Sequence, residues 1–337
     1  MKRFCVLLLL IASACTAGKA EIDYSLSQGI IWPGPPEKPR IEYLWSMARV
    51  NQGFVIAPAP GQWSVISSPQ TGDSGLLVSP RGVFVDSKDN LYVADPGAGR
   101  VDMVNLKTMK SDFFTSAGPD RMVYPLSVAG GSGKIYVTDP DLRKVFALDE
   151  KGAYLFDFNA SFLRPTGLAV DQARGLVYVV DTWANDVCVF DLSGKLLRKI
   201  GRRGTGNGEF NFPTFAAVGR RGTLYVADTG NFRVQMFGPD GSFKRVFGVI
   251  GDGFRDFERI KGIAVSRQGY IYVADAGQDM IKIFDKKGRL MMFFGQKGSY
   301  YGQFTLPSGI CVDGQNRIFV SDSLNARIQA FKFLGDK

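Results

Sequence analysis

The chain is predicted to be all-β: a six-bladed β-propeller of four-stranded antiparallel blades, closed by an N-terminal strand that completes the last blade. Three observations predict this. A loose phrase recurs six times, reading Pro-x-Gly with apolar residues and Val, then an apolar-Tyr-Val-Ala-Asp segment, then Asn-x-Arg leading into an apolar run that ends in Phe. The Asp that ends the middle segment stands at Asp95, Asp139, Asp181, Asp228, Asp275 and Asp322, giving spacings of 44, 42, 47, 47 and 47 residues. The 40 glycines are what a chain turning about every ten residues requires. A fixed period in this range, with several short alternating strands per unit, is the signature of a propeller array.

The front of the chain is a separate object. Lys2 and Arg3 precede the apolar run Phe4 to Ala12, and Ser13-Ala14-Cys15 follows. A basic start, a short apolar stretch and small residues at a cleavage point make an export signal too short to span a bilayer as a helix. Residues 1–14 are therefore read as a signal peptide. The Ala-Ser-Ala-Cys ending resembles a bacterial lipoprotein signal, which implies that Cys15 becomes the lipidated first residue of the mature chain. Ordinary secretion with cleavage after Ala20 is the competing reading, because Gly18-Lys19-Ala20 is also a small-x-small site. The expected location is a bacterial membrane, with the outer membrane favoured by Thr16 after the anchor; otherwise the protein is periplasmic or secreted.

Residues 15–39 read as a Pro-rich tether, with Pro33 to Pro39 as an extended semi-rigid spacer. Residues 40–50 contain the strand-like Ile41-Glu-Tyr43-Leu-Trp45-Ser-Met47, expected to close the ring. Residues 51–79 match no repeat and exceed a usual connection, a length at which loops are often functional or disordered. Residues 80–333 are the six repeats, which form one propeller with 40–50. The sixth repeat ends after its third strand, at Ile328 to Phe333. It therefore lacks an outer strand, and the front of the chain is expected to supply it and remove two open edges.

Within a repeat the side chains of a segment such as Leu224-Tyr225-Val226-Ala227 alternate between the two sheet faces, and each face is apolar because each packs on a neighbouring blade. Small residues in the first strand suit the crowded axis. The turn after the repeat Asp carries Asn231 and Arg233 in the fourth unit, and Asp with Arg is placed to form a charge-assisted pair that staples the turn or reaches the next blade. Arg100 and Arg327 stand at the same offset, with Lys144 a weaker version. The third and fifth repeats have Asp186 and Met280 there, so their turns must be held differently. Recurrence in every blade makes the six carboxylates structural rather than an acid/base array.

These motifs resemble the NHL repeat family over residues 80–332. Tyr-Val-x-Asp stands in five units and Phe319-Val320-Ser321-Asp322 in the sixth, and the Gly206-Asn-Gly208-Glu-Phe210 approach also matches. The second repeat departs most, with Ser127 in place of Gly. NHL propellers are mostly six-bladed, which agrees with the count.

Much chemistry is excluded. There is no histidine in 337 residues, which removes Ser-His-Asp and Cys-His hydrolysis and His-ligated metals. Enzymes on NHL-like rings such as the peptide-amidating lyases depend on histidine ligands, and this sequence cannot reproduce that site. A carboxylate-held metal in the axial pore, as in calcium-dependent lactonases, needs acidic side chains there. The first-strand starts are instead Arg81, Leu126, Thr166, Thr214, Lys261 and Ser308. The stretch from Gly201 to Gly208 lacks the Lys-Ser/Thr ending and helix of a phosphate loop. Cys188 and Cys311 lie in the third and sixth repeats, too far apart for a bridge, and are read as buried free thiols.

The expected function is a non-catalytic binding or scaffold propeller at the cell envelope. It would recognise a protein, peptide or glycan through loops on one face, with no cofactor and no nucleic acid. The alternative is a carboxylate-metal hydrolase or lactonase in the pore. Candidate binding residues are Arg81, Arg121, Arg164 and Lys261 near the axial mouth, with Trp183, Tyr300 and Tyr301 as aromatic contacts. The opposing reading has Trp183 shielding a neighbouring blade and the tyrosines packing under their loop. The net charge of +9 fits an anionic partner. Nothing in the sequence speaks to oligomeric state.

Overall fold

The structure is a computed structural model that describes residues 29–34, 37–38, 40–48 and 75–335. The export signal, Cys15, Ala20 and most of the 51–79 connection lie outside the described residues.

Two strands precede the repeats, β1 (Ile31–Trp32) and β2 (Ile41–Met47). Blade one is β3 (Val83–Val85), β4 (Asn90–Asp95), β5 (Arg100–Asn105) and β6 (Ser111–Phe114), followed by a small hairpin of β7 (Ser116–Ala117) and β8 (Asp120–Arg121). Blade two is β9 (Ser127–Gly131), β10 (Lys134–Asp139), β11 (Lys144–Asp149) and β12 (Tyr154–Asp157). Blade three is β13 (Pro165–Asp171), β14 (Leu176–Asp181), β15 (Asp186–Asp191) and β16 (Leu196–Ile200). Blade four is β17 (Ala216–Val218), β18 (Leu224–Asp228), β19 (Arg233–Phe237) and β20 (Phe243–Phe247). Blade five is β21 (Ile260–Val265), β22 (Ile271–Asp275), β23 (Met280–Phe284) and β24 (Leu290–Phe294). Blade six begins with β25 (Pro307–Val312), β26 (Arg317–Asp322) and β27 (Arg327–Phe333). The described residues contain no α-helix, and the six sheets are antiparallel throughout.

The inner strands touch in a closed cycle, β3 to β9, β13, β17, β21, β25 and back to β3, which makes the blades a ring. Six apolar clusters fill the six junctions between blades. The second-strand aromatics anchor them: Tyr92 between blades one and two, Tyr136, Tyr178, Tyr225 and Tyr272 at the next four, and Phe319 between six and one. All six are buried. This explains why both sheet faces are apolar: each blade has a neighbour on both sides. Gly167 shows why the first strand is small, since a Cβ there would lie 2.5 Å from the Phe215 Cα of the next blade.

The ring closes as the sequence predicts. β2 lies antiparallel to β27, with Ile41 opposite Phe333, Tyr43 opposite Phe331 and Trp45 opposite Ala330. One feature of the tether differs. β1 pairs with β2 and adds a fifth strand to blade six, so Ile31 and Trp32 of the tether belong to the sheet, while residues 35, 36 and 39 of the expected spacer lie outside the described residues. Burial drives the difference: the Trp32 ring lies 5.7 Å from Phe294 and 5.8 Å from Phe331, and a spacer would leave it in water.

The polar signature is corrected in two ways. The repeat Asp chiefly grips backbone. Val78 and Ser79 N–H donate to Asp95 at 2.7 and 2.9 Å, Val123 and Tyr124 to Asp139, and Leu163 and Arg164 to Asp181 at 2.8 Å each. The carboxylate thus holds the incoming segment of its own blade, which is why it recurs. Arg233 and Arg327 do pair with Asp228 and Asp322, at 2.8 and 2.7 Å. Arg100 instead pairs with Asp102 at 2.8 Å, and Lys144 with Asp120 and Asp157. In the fourth turn Phe232 is the left-handed residue, φ 54°, and the Asn231 amide donates to Asp228 at 2.9 Å. Cys188 and Cys311 are free, the first buried and the second partly so.

Candidate binding face

Strand polarity puts the loops that lead into each blade and the turns after each repeat Asp at the same end of the ring. Hydroxyl groups stitch neighbouring blades together at this end. Thr182 donates to the Pro213 carbonyl at 2.6 Å, Thr229 to Ile260 at 3.0 Å, and Ser323 to Pro80 at 2.6 Å, the last across the closure. A second support sits on the third strands, seven residues after the Asp. Gln235 donates to Asp228 and to the Glu209 carbonyl while accepting from Gly208 N–H, and Gln329 repeats this with Asp322, Gln303 and Gly302. In blade five the same slot holds Lys282, which reaches Asp275 at 3.1 Å and the Asp256 carbonyl. The loops of this end are therefore fixed by buried hydrogen bonds, which suits a preformed binding surface.

Two properties distinguish the surface so built. The first is apolar exposure. Of the sixteen exposed large apolar side chains among the described residues, eleven lie at this end. Leu76, Val78, Val123, Leu163 and Phe212 stand in the segments just before the first strands. Val249, Ile250 (67% exposed), Phe254 (59%) and Tyr300 come from the longer loops, and Trp183 (52%) and Leu324 from the turns after the repeat Asp. Phe254 stacks on Phe293 with centroids 4.3 Å apart, which fixes that loop tip.

The second is charge at the axis. Arg81 and Lys261 occupy the same register, the residue before the crowded small position of the inner strand, on blades one and five. Arg164 on blade three and Arg259 on blade five stand immediately before their inner strands. Burial lowers the Lys261 ammonium below the usual lysine range, and the charges of Arg81, Arg259 and Arg164 lower it further, with no carboxylate offsetting them. The Arg81 Nε is buried without a hydrogen-bond partner. The Arg164 guanidinium lies over the Trp183 ring at 5.2 Å and 3.7 Å from Asp141.

The structure brings Arg81, Arg164 and Lys261 together, with Trp183 beside them. It does not bring Arg121 or Tyr301 there. Arg121 lies in the β7–β8 hairpin, whose Asp120 is held by Lys144 at the start of a third strand, so the hairpin covers the outer half of blade two. The Tyr301 ring packs on Tyr43 at 5.6 Å, beneath its loop. Tyr300 is 54% exposed, and its carbonyl accepts from Arg327 at 2.8 Å. Sequence reasoning missed Arg259 and the apolar loop residues. Their signal was positional: the two residues before Pro80, Pro125, Pro165, Pro213 and Ile260 include a large apolar or cationic one in each case, at Val78, Val123, Leu163-Arg164, Phe212 and Arg259. Among the described residues no group of three Cys, Asp or Glu is placed to hold a metal.

Comparison with known proteins agrees with this architecture. The NHL repeat family matches residues 210–237 and 304–331, and a 6-bladed beta-propeller family matches residues 168–222. The mouse peptidyl-glycine alpha-amidating monooxygenase is 29% identical over 213 residues, 58% of this chain and 20% of that protein; the rat protein is 29% identical over 164 residues. The chain thus spans about a fifth or less of the length of the curated relatives it matches. Virginiamycin B lyase from Staphylococcus aureus superposes with a TM-score of 0.59 at 14% identity, covering 87% of this chain and all of the lyase. A Bacteroides thetaiotaomicron protein of unknown function gives 0.60 at 15% identity, covering 77% of this chain and 70% of that one. Identities this low show the fold alone.

Proposed function

We propose that this six-bladed propeller with NHL repeats is a non-catalytic binding or scaffold module, exported and held at a bacterial membrane through Cys15, that grips a protein or peptide partner on its loop-bearing face. The observation that carries the reading is the clustering of eleven exposed apolar side chains at one end of the ring, around a cationic axis. Apolar anchors within a charged surround are the composition of an interface centre, and a rigid support lowers the ordering cost of binding. The basic axis selects a partner with acidic groups near its contact patch, as does the net charge of +9. A glycan is the weaker fit, because Leu163, Val249 and Ile250 offer it no hydrogen bonds.

The amidating monooxygenases and the lyase are enzymes on related rings, but a shared ring does not transfer their chemistry. The mouth of this ring is cationic and the chain has no histidine. No observation favours the carboxylate-metal alternative. The reading is tested with a photo-crosslinking residue at position 183 in intact cells, against the same residue at Lys287 in a turn at the opposite end. The expected result is a discrete protein adduct from position 183 alone. No adduct at 183, or the same adducts from both positions, overturns it.

A further inference from the structure

The axial mouth has an arrangement that folding alone does not explain. Arg81 on blade one and Lys261 on blade five stand at first-strand starts, and Arg164 on blade three and Arg259 on blade five stand two residues before theirs, so that all three arginines act on Lys261 from alternate blades or its own. The other four starts are the neutral Leu126, Thr166, Thr214 and Ser308. Like charges gathered on a partly buried rim oppose the folded state, and nothing beside Lys261 offsets them. Arg164 alone has a carboxylate in reach, Asp141 at 3.7 Å. Among the described residues Arg81 keeps a buried Nε–H without an acceptor, and an unmade hydrogen bond of a buried donor opposes folding. A fork of guanidinium donors is shaped for an oxyanion, and Lys supplies a point charge beside it.

Resting on the reading of this end as the binding face, we infer that the mouth is an oxyanion receptor, in which Arg81, Arg164 and Lys261 converge on one carboxylate or phosphate group presented by the partner. Both sources share the same chemistry, a compact group with several acceptor oxygens. The neutral starts Leu126, Thr166, Thr214 and Ser308 give it no repelling charge. Filling the site supplies the missing acceptor of Arg81 and removes the mutual repulsion around Lys261.

The test uses the full mature chain with its lysines carrying 13C-methyl labels, read by NMR. Inorganic phosphate and acetate are titrated separately at low salt, with sodium chloride at matched ionic strength as the control. The expected result is a saturable shift of the Lys261 signal and a rise of its titration midpoint toward the ordinary lysine range. Arg81→Gln weakens that binding at least tenfold, whereas the outlying Arg121→Gln leaves it within twofold. Saturation by phosphate alone identifies a phosphorylated group, and saturation by both anions identifies a carboxylate. A Lys261 signal that follows chloride as closely as the two anions, or equal weakening by Arg81→Gln and Arg121→Gln, overturns the inference. Should Arg81→Gln fold poorly by circular dichroism, Arg81→Lys keeps the charge and removes the fork, with weakening still expected. The two readings fail separately. An intact anion response without an adduct at position 183 defeats the partner reading alone, and an adduct with a silent Lys261 defeats this one alone.

Discussion

The Lys282 ammonium lies 3.1 Å from the Asp275 carboxylate with both side chains fully buried, in the slot that Gln235 and Gln329 fill in the neighbouring blades. Three blades thus solve one problem, holding a loop against the repeat Asp, with two different side chains. Burial lowers the Lys282 pKa while Asp275 resists the shift. A group lowered in this way binds fewer protons in the folded chain than in the unfolded chain between its folded value and the usual 10.5. Native stability therefore rises with pH across that window, and the full cost of the charge persists below it.

Lys282→Gln copies the neutral solution of blades four and six. It is expected to raise stability at pH 7 by about 1 kcal/mol and to abolish this residue's gain on going to alkaline pH. Urea unfolding at pH 7 and pH 10 measures both. A loss above about 2 kcal/mol at pH 7 would show that the ion pair is a net support.

The repeat Asp residues differ in what depends on them. Asp181 serves chiefly two backbone N–H groups, and Asp181→Ala is expected to cost about 2 kcal/mol. Asp228 also holds Arg233, Asn231 and Gln235, so Asp228→Ala leaves a partly buried guanidinium unpaired and is expected to cost about 4 kcal/mol. Chemical denaturation checks the order, and equal losses would contradict it.

How much of this was legible in the residues follows from what repeats. The blades, the second-strand tyrosines and the gripping Asp recur with a period, and Tyr43 and Trp45 stood out as apolar positions with no partner. The β1 strand was not legible, because two residues before a proline-rich run carry no periodicity; Trp32 reveals its place only once Phe294 and Phe331 are assembled. The pairing of Arg100 was missed because Asp102 occupies the slot that holds Gln in blades four and six and Lys in blade five, and this carboxylate captured the guanidinium. The mouth was half legible. Arg81 and Lys261 share a register, but only the closing of the ring brings Arg81 and Arg164 near Lys261 and the Arg259 two residues before it.

Closure is tested at Tyr43. Its ring meets Phe331 at 5.5 Å and Tyr301 at 5.6 Å, and the side chain is buried. Tyr43→Ala is expected to cost about 4 kcal/mol. Deleting β1 and β2 together exposes the β27 edge and is expected to produce oligomers in light scattering. A monomeric, equally stable deletion variant would show that the ring does not need the latch.

Burial pushes the Cys188 thiol up to about 12 and raises that of Cys311 as well. With Cys5 and Cys15 replaced by Ser, the native protein is expected to react with iodoacetamide at pH 8 about a thousandfold more slowly than free cysteine. Unfolding in urea restores the ordinary rate. Prompt modification of the folded chain, read by mass spectrometry, would contradict this.

Pairing Ile41 with Phe333 sets an order of events in the making of the molecule. The latch leaves the ribosome first and its catch almost last, so the front strand must wait, unmatched, while five wedges and most of a sixth are completed. A polypeptide cut short before Arg327 would own every wedge-to-wedge contact but the final one and still present two raw borders. The strand from Arg327 to Phe333 thus decides whether a finished circle or an adhesive arc forms.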